Sequence, residues 1–441
     1  MSSAEIPTRA RTPLPEGTVP VGIALLIAGV ATYAFFKVGT VAVGGEEEFA
    51  PIAAMWFATF LLAPGFFVPL EQELGRALSY RRAANQGSWP VVRKVLTLGG
   101  ILVAVVTLVL LAFSPLLATS YFDGDWVMVL ALIAAFAAYA PAQLARGVCA
   151  GSGRFTDYAI ILGSDGVIRI LLCVGLAVVG VTAVGAYGLA IAIAPLFAVA
   201  YVYRRGGLRT EPGPPAQWSE VTPNLGWLLL GSVCAATLLN AGPITATLLA
   251  DETEKALVTQ FSYGVLLARI PLFLFQAVQA ALLPRLSQLA ARGELVEFRS
   301  GLKKVMLIVI AVGVAGTLGA FVLGSWAIEI VYDAELSNRT LAMLSASSAT
   351  YMLALASAQA VIALRGHALV ALGWGVGVVG FVLGTWLGSD QVFRRIEIGL
   401  LVSSIAALIT FAFALRQRLR AGVTPDEGSM MEAITDMPFE P

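Results

Sequence analysis

A helix needs about 20 consecutive apolar residues to cross the hydrocarbon core of a bilayer. The chain offers twelve such runs, at about residues 19–38, 50–69, 95–117, 126–147, 158–179, 182–203, 225–250, 256–283, 304–325, 340–364, 367–388 and 395–415. Backbone groups in lipid have no water to bond to, so each run is expected to be helical. The connections are too short to hold a separately folded domain. Of the 441 residues 58% are hydrophobic and 13% charged, where a soluble protein carries about 25% charge. The expected fold class is therefore an all-α polytopic membrane protein with twelve transmembrane helices. The first run is too long for a signal-peptide core and lacks a small-residue cleavage site, so it reads as a retained helix.

Lysine and arginine orient the helices, because they gather in cytoplasmic loops. Twenty-one fall at the termini and in the loops after even-numbered runs, including Arg76, Arg81, Arg82, Arg146, Arg204, Arg292 and Arg416. Five fall on the other side: Lys37, Lys255, Arg339, Arg394 and Arg395. Both termini are expected to be cytoplasmic, with Arg394 and Arg395 running against the rule.

The halves also resemble each other. Leu78-Ser79 recurs as Leu286-Ser287, Arg93-Lys94 as Lys303-Lys304, and Phe122-Asp-Gly-Asp as Tyr332-Asp-Ala-Glu, at offsets of 208, 210 and 210. The acidic loops Glu46–Glu48 and Asp251–Glu254 are a looser fourth match. Six helices per repeat keep both repeats in one orientation, so two pseudo-symmetric six-helix bundles related by an axis along the membrane normal are expected. The implied boundaries are a disordered cytoplasmic stretch 1–17, a first bundle 18–203, and a cytoplasmic linker 204–224. A second bundle 225–415 and a largely disordered cytoplasmic tail 416–441 complete them.

Several function classes drop out. The formal net charge is zero, which suggests no nucleic-acid partner. Three cysteines in or beside apolar runs read as buried hydrophobes, and a single histidine, His367, predicts no metal site and no cofactor. Asp123-Gly-Asp125 has the acid-x-acid form of metal-dependent glycosyltransferases, but its counterpart Asp333-Ala-Glu335 also immediately precedes a membrane run. Helix capping accounts for both. No enzyme is expected.

The unusual residues lie inside the runs. Arg269 sits halfway down the eighth, where inserting arginine costs about 2.5–3.5 kcal/mol. Pro271, two residues on, leaves the carbonyl of Leu267 without its helical partner. At 100° per residue Ser262 and Gln276 fall within about 20° of Arg269, forming one polar stripe. Either this is a cationic face turned to a cavity and suited to an anionic group such as phosphate, or Arg269 caps broken backbone or pairs with a neighbouring acid. In the fifth run Asp165 and Arg169 stand four apart and share a face with Tyr158. They read either as a self-satisfied pair or as a second cation beside a titratable or sodium-linked coupling carboxylate. The seventh run carries Asn240-Ala-Gly-Pro243, which predicts a bent or interrupted helix that either lines a cavity or packs closely against a neighbour.

Three stretches carry a family likeness: Ala145–Leu172 (ARGVCAGSGRFTDYAIILGSDGVIRILL), Ala268–Glu294 (ARIPLFLFQAVQAALLPRLSQLAARGE) and the segment IEIVYDAELSNRTLAMLS. With the twelve-run architecture, they resemble the multidrug/oligosaccharidyl-lipid/polysaccharide flippase superfamily, in particular its polysaccharide-exporter and O-antigen branch. The resemblance implies flipping of a polyprenyl-diphosphate-linked oligosaccharide from the cytoplasmic to the outer leaflet of the cell membrane. Arg269 and Arg169 would meet the diphosphate. Asn240, Gln276 and Ser262 would meet the rest of the substrate, and Asp165 would couple to H+ or Na+. Membrane lipids and polysaccharide polymerase or glycosyltransferases are the implied partners. The alternatives are a cation-coupled multidrug exporter on the same fold and a lipid II flippase. The latter carries arginine and aspartate in helix 1, where this chain has only Lys37.

Overall fold

A computed structural model describes residues 18–221, 225–272, 292–364 and 366–421, with a few positions between 273 and 291. The described residues form helices, with no strand among them. In chain order the α-helices are α1 (Thr18–Val43), α2 (Glu46–Ala83), α3 (Trp89–Ala112), α4 (Ser114–Tyr121), α5 (Trp126–Gly151), α6 (Phe155–Val178) and α7 (Val184–Arg204). The second half contributes α8 (Leu225–Leu249), α9 (Lys255–Ala268), α10 (Leu295–Tyr332), α11 (Asn338–Ala363), α12 (His367–Leu387) and α13 (Val392–Ala421). Among the described residues eleven helices are long and apolar enough to cross a membrane. The eighth expected run is represented by α9 and the residues just after it.

Local sequence explains the helix ends. The third run divides into α3 and α4 because Pro115 has no N–H for the carbonyl of Leu111. The Ser114 hydroxyl donates to that carbonyl at 2.7 Å instead. Asp125 caps α5, its carboxylate accepting from the backbone of Val127 at 2.7 Å and Met128 at 3.3 Å, as expected. The repeat's counterpart differs: α11 is capped by Ser337, and Asp333 instead closes α10. Asp123 and Asp333, 210 residues apart, both adopt left-handed backbone with φ of 52° and 57°, a conformation that aspartate tolerates better than most residues. Two boundaries move. The basic stretch after the second run is the continuation of α2, and α13 continues past Leu415 to Ala421.

Packing repeats between the halves. In the first, α1 packs on α6, α2 and α3 on α5, and α7 on both α5 and α6. The second reproduces each pair in turn: α8 on α12, α9 and α10 on α11, and α13 on both α11 and α12. Small residues permit the closest crossings. A Cβ on Gly147 would lie 2.8 Å from the Glu71 carbonyl, and one on Gly151 would lie 2.6 Å from the Gly75 carbonyl, so α5 can approach α2 only as glycine. The halves meet along a seam where α2 faces α8 and α9.

The linker is strapped to the first half. Arg81, 1% exposed at the end of α2, donates to the carbonyls of Gly87 (3.0 Å) and Pro214 (2.9 Å) and to the Glu220 carboxylate (3.0 Å). Burial pushes the Glu220 carboxyl up. Hydrogen bonds from Arg81 and the Gln217 N–H, with the charges of Arg81 and Lys94, outweigh that and hold it below its ordinary value of 4.5. A carboxylate with a lowered folded-state pKa contributes stability above its unfolded pKa and loses it as pH falls through the folded value. Thermal melts of the detergent-solubilised protein should therefore weaken as pH drops below 4.5. Glu220→Gln should melt lower at pH 7 and lose part of that acid sensitivity. Parallel pH profiles for the two proteins would refute the strap's contribution.

Candidate functional site

The mid-membrane seam is built on broken backbone. Pro64 lies inside α2 and Pro243 inside α8, and each removes the N–H due to the carbonyl four residues earlier, Phe60 and Leu239 respectively. Both carbonyls are served by side chains. The Asn240 amide donates to the Phe60 carbonyl across the seam at 3.1 Å and to Ala236 on its own helix at 3.1 Å. Arg269, 8% exposed, donates from one terminal nitrogen to the Asn240 carbonyl oxygen at 3.1 Å and from the other to the Leu239 carbonyl. Its guanidinium lies 5.6 Å from the Phe57 ring centroid. Among the described residues no carboxylate lies within ion-pair distance of it.

Arg269 thus caps broken backbone, but on α8 rather than beside its own Pro271. The chain runs straight through Asn240-Ala-Gly-Pro243 as α8, so the expected break in the seventh run does not occur. Capping by Arg269 removes the need for it. The interruption falls in the eighth run, where α9 ends at Ala268 and Arg269 forms a turn. That turn ends the expected stripe. Ser262 is buried, and its hydroxyl donates to Val258 on its own helix at 2.9 Å, so no hydrogen bond joins it to Arg269. Gln276 lies outside the described residues.

Asp165 and Arg169 form the intrahelical ion pair that their spacing predicts. The Arg169 guanidinium is 3% exposed and stacks over Trp56 (4.6 Å) and Phe60 (5.1 Å) of α2. Stacking on aromatic faces is a role that arginine fills and lysine does not. One oxygen of Asp165 faces Arg169, while Oδ1 is buried without a partner among the described residues. The two arginines therefore press on neighbouring faces of a single stretch of α2, about 80° apart at 100° per residue. Each belongs to its own half.

Two charged clusters escaped the sequence reading. Near the basic end of the first half Glu71 pairs with Arg146 at 2.9 Å and accepts from Tyr158 at 2.9 Å, while Arg146 also donates to Gln143. The sequence places Glu71 and Arg146 just outside or at the edge of apolar runs. The signal was the helical extension of α2 beyond residue 69, which carries Glu71 onto the face opposite α5. At the acidic end of the second half Glu397, 1% exposed, accepts from Thr340 at 2.8 Å and pairs with Arg339 at 3.1 Å. Part of the positive charge that runs against the orientation rule there is neutralised by this buried acid.

No protein-family model matches the chain, and no curated protein matches it in sequence. Solved structures do match over nearly its whole length. The Vibrio cholerae MATE transporter VcmN, as an aspartate-to-asparagine mutant, aligns with a TM-score of 0.67 at 17% identity, over 92% of this chain and 97% of that one. A multidrug resistance MATE family transporter of the MOP superfamily, inward-facing, aligns with a TM-score of 0.67 at 15% identity over 91% and 98% of the two chains. An outward-facing structure described in the same words gives 0.67 at 14% identity over 92% and 96%. The chain thus has the helical fold of these transporters and is a multi-pass membrane protein.

The capping arrangement makes a quantitative expectation. Arg269→Ala strands the Leu239 carbonyl and should destabilise the protein by about 1–3 kcal/mol, the cost of an unsatisfied buried polar group. Pro243→Ala supplies the missing N–H to the same carbonyl. Arg269→Ala should therefore cost clearly less in that background when unfolding is followed for all four proteins. Strict additivity of the two changes would rule out the cap.

Proposed function

We propose that the chain is a secondary transporter that exports amphipathic organic solutes, its two halves opening a common path alternately to either side, with H+ or Na+ as the coupling ion. The observation that carries this reading is Asp165. It is the only carboxylate within the twelve apolar runs apart from Glu397 at the acidic end of the last one. Its buried Oδ1 has no partner among the described residues. A carboxylate half-held by arginine and half-unsatisfied is suited to exchange a proton or a monovalent cation against its own Arg169, and intramembrane carboxylates mark such pathways. The likeness to multidrug resistance transporters solved inward-facing and outward-facing supports the alternation and the substrate class.

A second reading, flipping of a polyprenyl-diphosphate-linked oligosaccharide with polysaccharide polymerase or glycosyltransferases as partners, is favoured by one observation. Arg269 is a buried cation with no carboxylate beside it among the described residues. Against it, both terminal nitrogens of Arg269 already serve Asn240 and Leu239, so a diphosphate would have to displace them.

Purified protein in liposomes decides between the readings. Under an imposed proton or sodium gradient, efflux of a fluorescent amphipathic drug should be gradient-driven, and Asp165→Asn should reduce it at least about tenfold, within the range of a coupling free energy. Flipping of a labelled polyprenyl-diphosphate sugar without drug efflux would replace the first reading by the second. Drug efflux that ignores both gradients would remove the coupling.

A further inference from the structure

The helix α9 has two loyalties. Its apolar residues pack in its own half and also against the first, where the Phe36 ring of α1 lies 6.1 Å from that of Tyr263. A Cβ on Gly264 would lie 2.5 Å from Leu336, just before α11, and 3.3 Å from Leu341 and Leu344 in it; Phe261 lies 5.4 Å from the Phe393 ring, and Tyr263 stacks on Tyr332 of α10 with centroids 4.2 Å apart. The hydrogen bonds made by Thr259, Gln260 and Tyr263 go instead to the other half. The Thr259 hydroxyl donates to the Glu46 carbonyl at 2.6 Å, and the Gln260 amide donates to the Glu46 carboxylate at 2.6 Å. The Tyr263 hydroxyl bonds that of Thr40. From the first half, Tyr33 donates to the Leu266 carbonyl at 2.7 Å, and Asp123 pairs with Lys255 at 3.0 Å. All five ties lie between the break at Arg269 and the acidic end of the seam.

The other end of α9 is built differently. α9 ends at Ala268, Arg269 forms a one-residue turn before helical backbone resumes at Ile270, Pro271 withholds an N–H from the Leu267 carbonyl, and Arg269 is anchored to α8 through Asn240 and Leu239. A short helix tied by polar contacts to the first half, packed by apolar contacts on both, and followed by a one-residue turn and a proline is jointed at that turn.

We propose that α9 is a local gate at the acidic end of the seam. It pivots at Arg269–Pro271, with Arg269 as the fixed bearing on α8 and Glu46, Thr40, Tyr33 and Asp123 as the latch. When the latch releases, α9 moves relative to the rest of its own half, so opening at this end is not a rigid rocking of one six-helix bundle against the other. The inference rests on the reading that the halves open in alternation, but its test uses no substrate.

Spin labels distinguish the two motions. In a background with Cys149, Cys173 and Cys234 replaced, labels go on the exposed positions Val41 (α1), Leu257 (α9), Ile330 (α10) and Trp386 (α12). Distances are measured by pulsed electron resonance in liposomes. The latch variant Gln260→Ala with Tyr263→Phe removes two cross-seam bonds and should raise the open population at least about tenfold. The 41–257 distance should then lengthen and the 257–386 distance change with it, while 330–386 stays fixed. Adding Pro271→Ala, which restores the missing N–H and leaves Arg269 in place, should suppress the change in 257–386. A melt at or above that of the latch variant will show that this protein is folded. Lengthening of 41–257 and 41–386 together at constant 257–386 would overturn the gate in favour of rigid rocking, and no change in any distance would overturn the latch. Neither outcome bears on whether the protein exports drugs, which the liposome efflux measurement decides by itself.

Discussion

The structure depends on what happens to a backbone carbonyl when a proline takes away its partner inside a membrane. In lipid such a group cannot turn to water, and leaving it bare costs several kcal/mol. Three of these carbonyls are answered by side chains. Ser114 answers Leu111 within its own turn, Asn240 answers Phe60 from the opposite half, and Arg269 answers Leu239 from the neighbouring helix. The first creates a corner between α3 and α4. The other two leave α2 and α8 uninterrupted despite their prolines, and both run along the seam where the halves meet.

Charge follows the same economy. Asp165 neutralises Arg169, Glu71 neutralises Arg146, and Glu397 neutralises Arg339, each pair lying within one half. At mid-membrane the hydrogen bond that crosses the seam from Asn240 to Phe60 is between neutral groups, and Asn240 has a second acceptor on its own helix at Ala236. Separating the halves there leaves no ion unpaired. A bundle interface held by buried ion pairs would have to strand charges on opening, at several kcal/mol each. An interface of apolar contacts and a neutral, replaceable hydrogen bond separates at much lower cost. The stronger cross-seam ties sit at the acidic end, where water can replace them.

Much of this was legible in the sequence because the membrane imposes length and polarity rules that one chain displays directly. The twelve runs, the repeat offsets and the Asp165–Arg169 pair follow from counting, and the paired left-handed aspartates 123 and 333 show that the repeat extends to backbone conformation. What stayed hidden depends on contacts between helices. Arg269 is visibly out of place in sequence, but its partner is a carbonyl freed by a proline in the preceding run, and no periodicity within the eighth run points there. The polar stripe through Ser262 and Gln276 assumed an unbroken helix, which Pro271 should have argued against. Glu71 was assigned to a loop because hydropathy marks where apolar composition ends, while α2 continues helically to Ala83 on polar residues that pack against protein instead of lipid.

The repeat also shows why Arg269 has no counterpart. Both second helices carry a mid-span proline, Pro64 and Pro271, 207 residues apart and so close to the common offset. In the first half the carbonyl freed by that proline receives a donor from Asn240, and α2 continues unbroken for 38 residues. In the second half the equivalent stretch ends at Arg269, whose side chain is spent on α8. The same local lesion is repaired in one copy and left as a joint in the other, and the residue that makes the difference is a cation the duplication does not repeat. Placing the repair on one side and the joint on the other gives the seam one stiff wall, α2, and one jointed wall, α9. In the proposed gate, the direction in which the acidic end yields is set by where the donors for two proline-freed carbonyls come from.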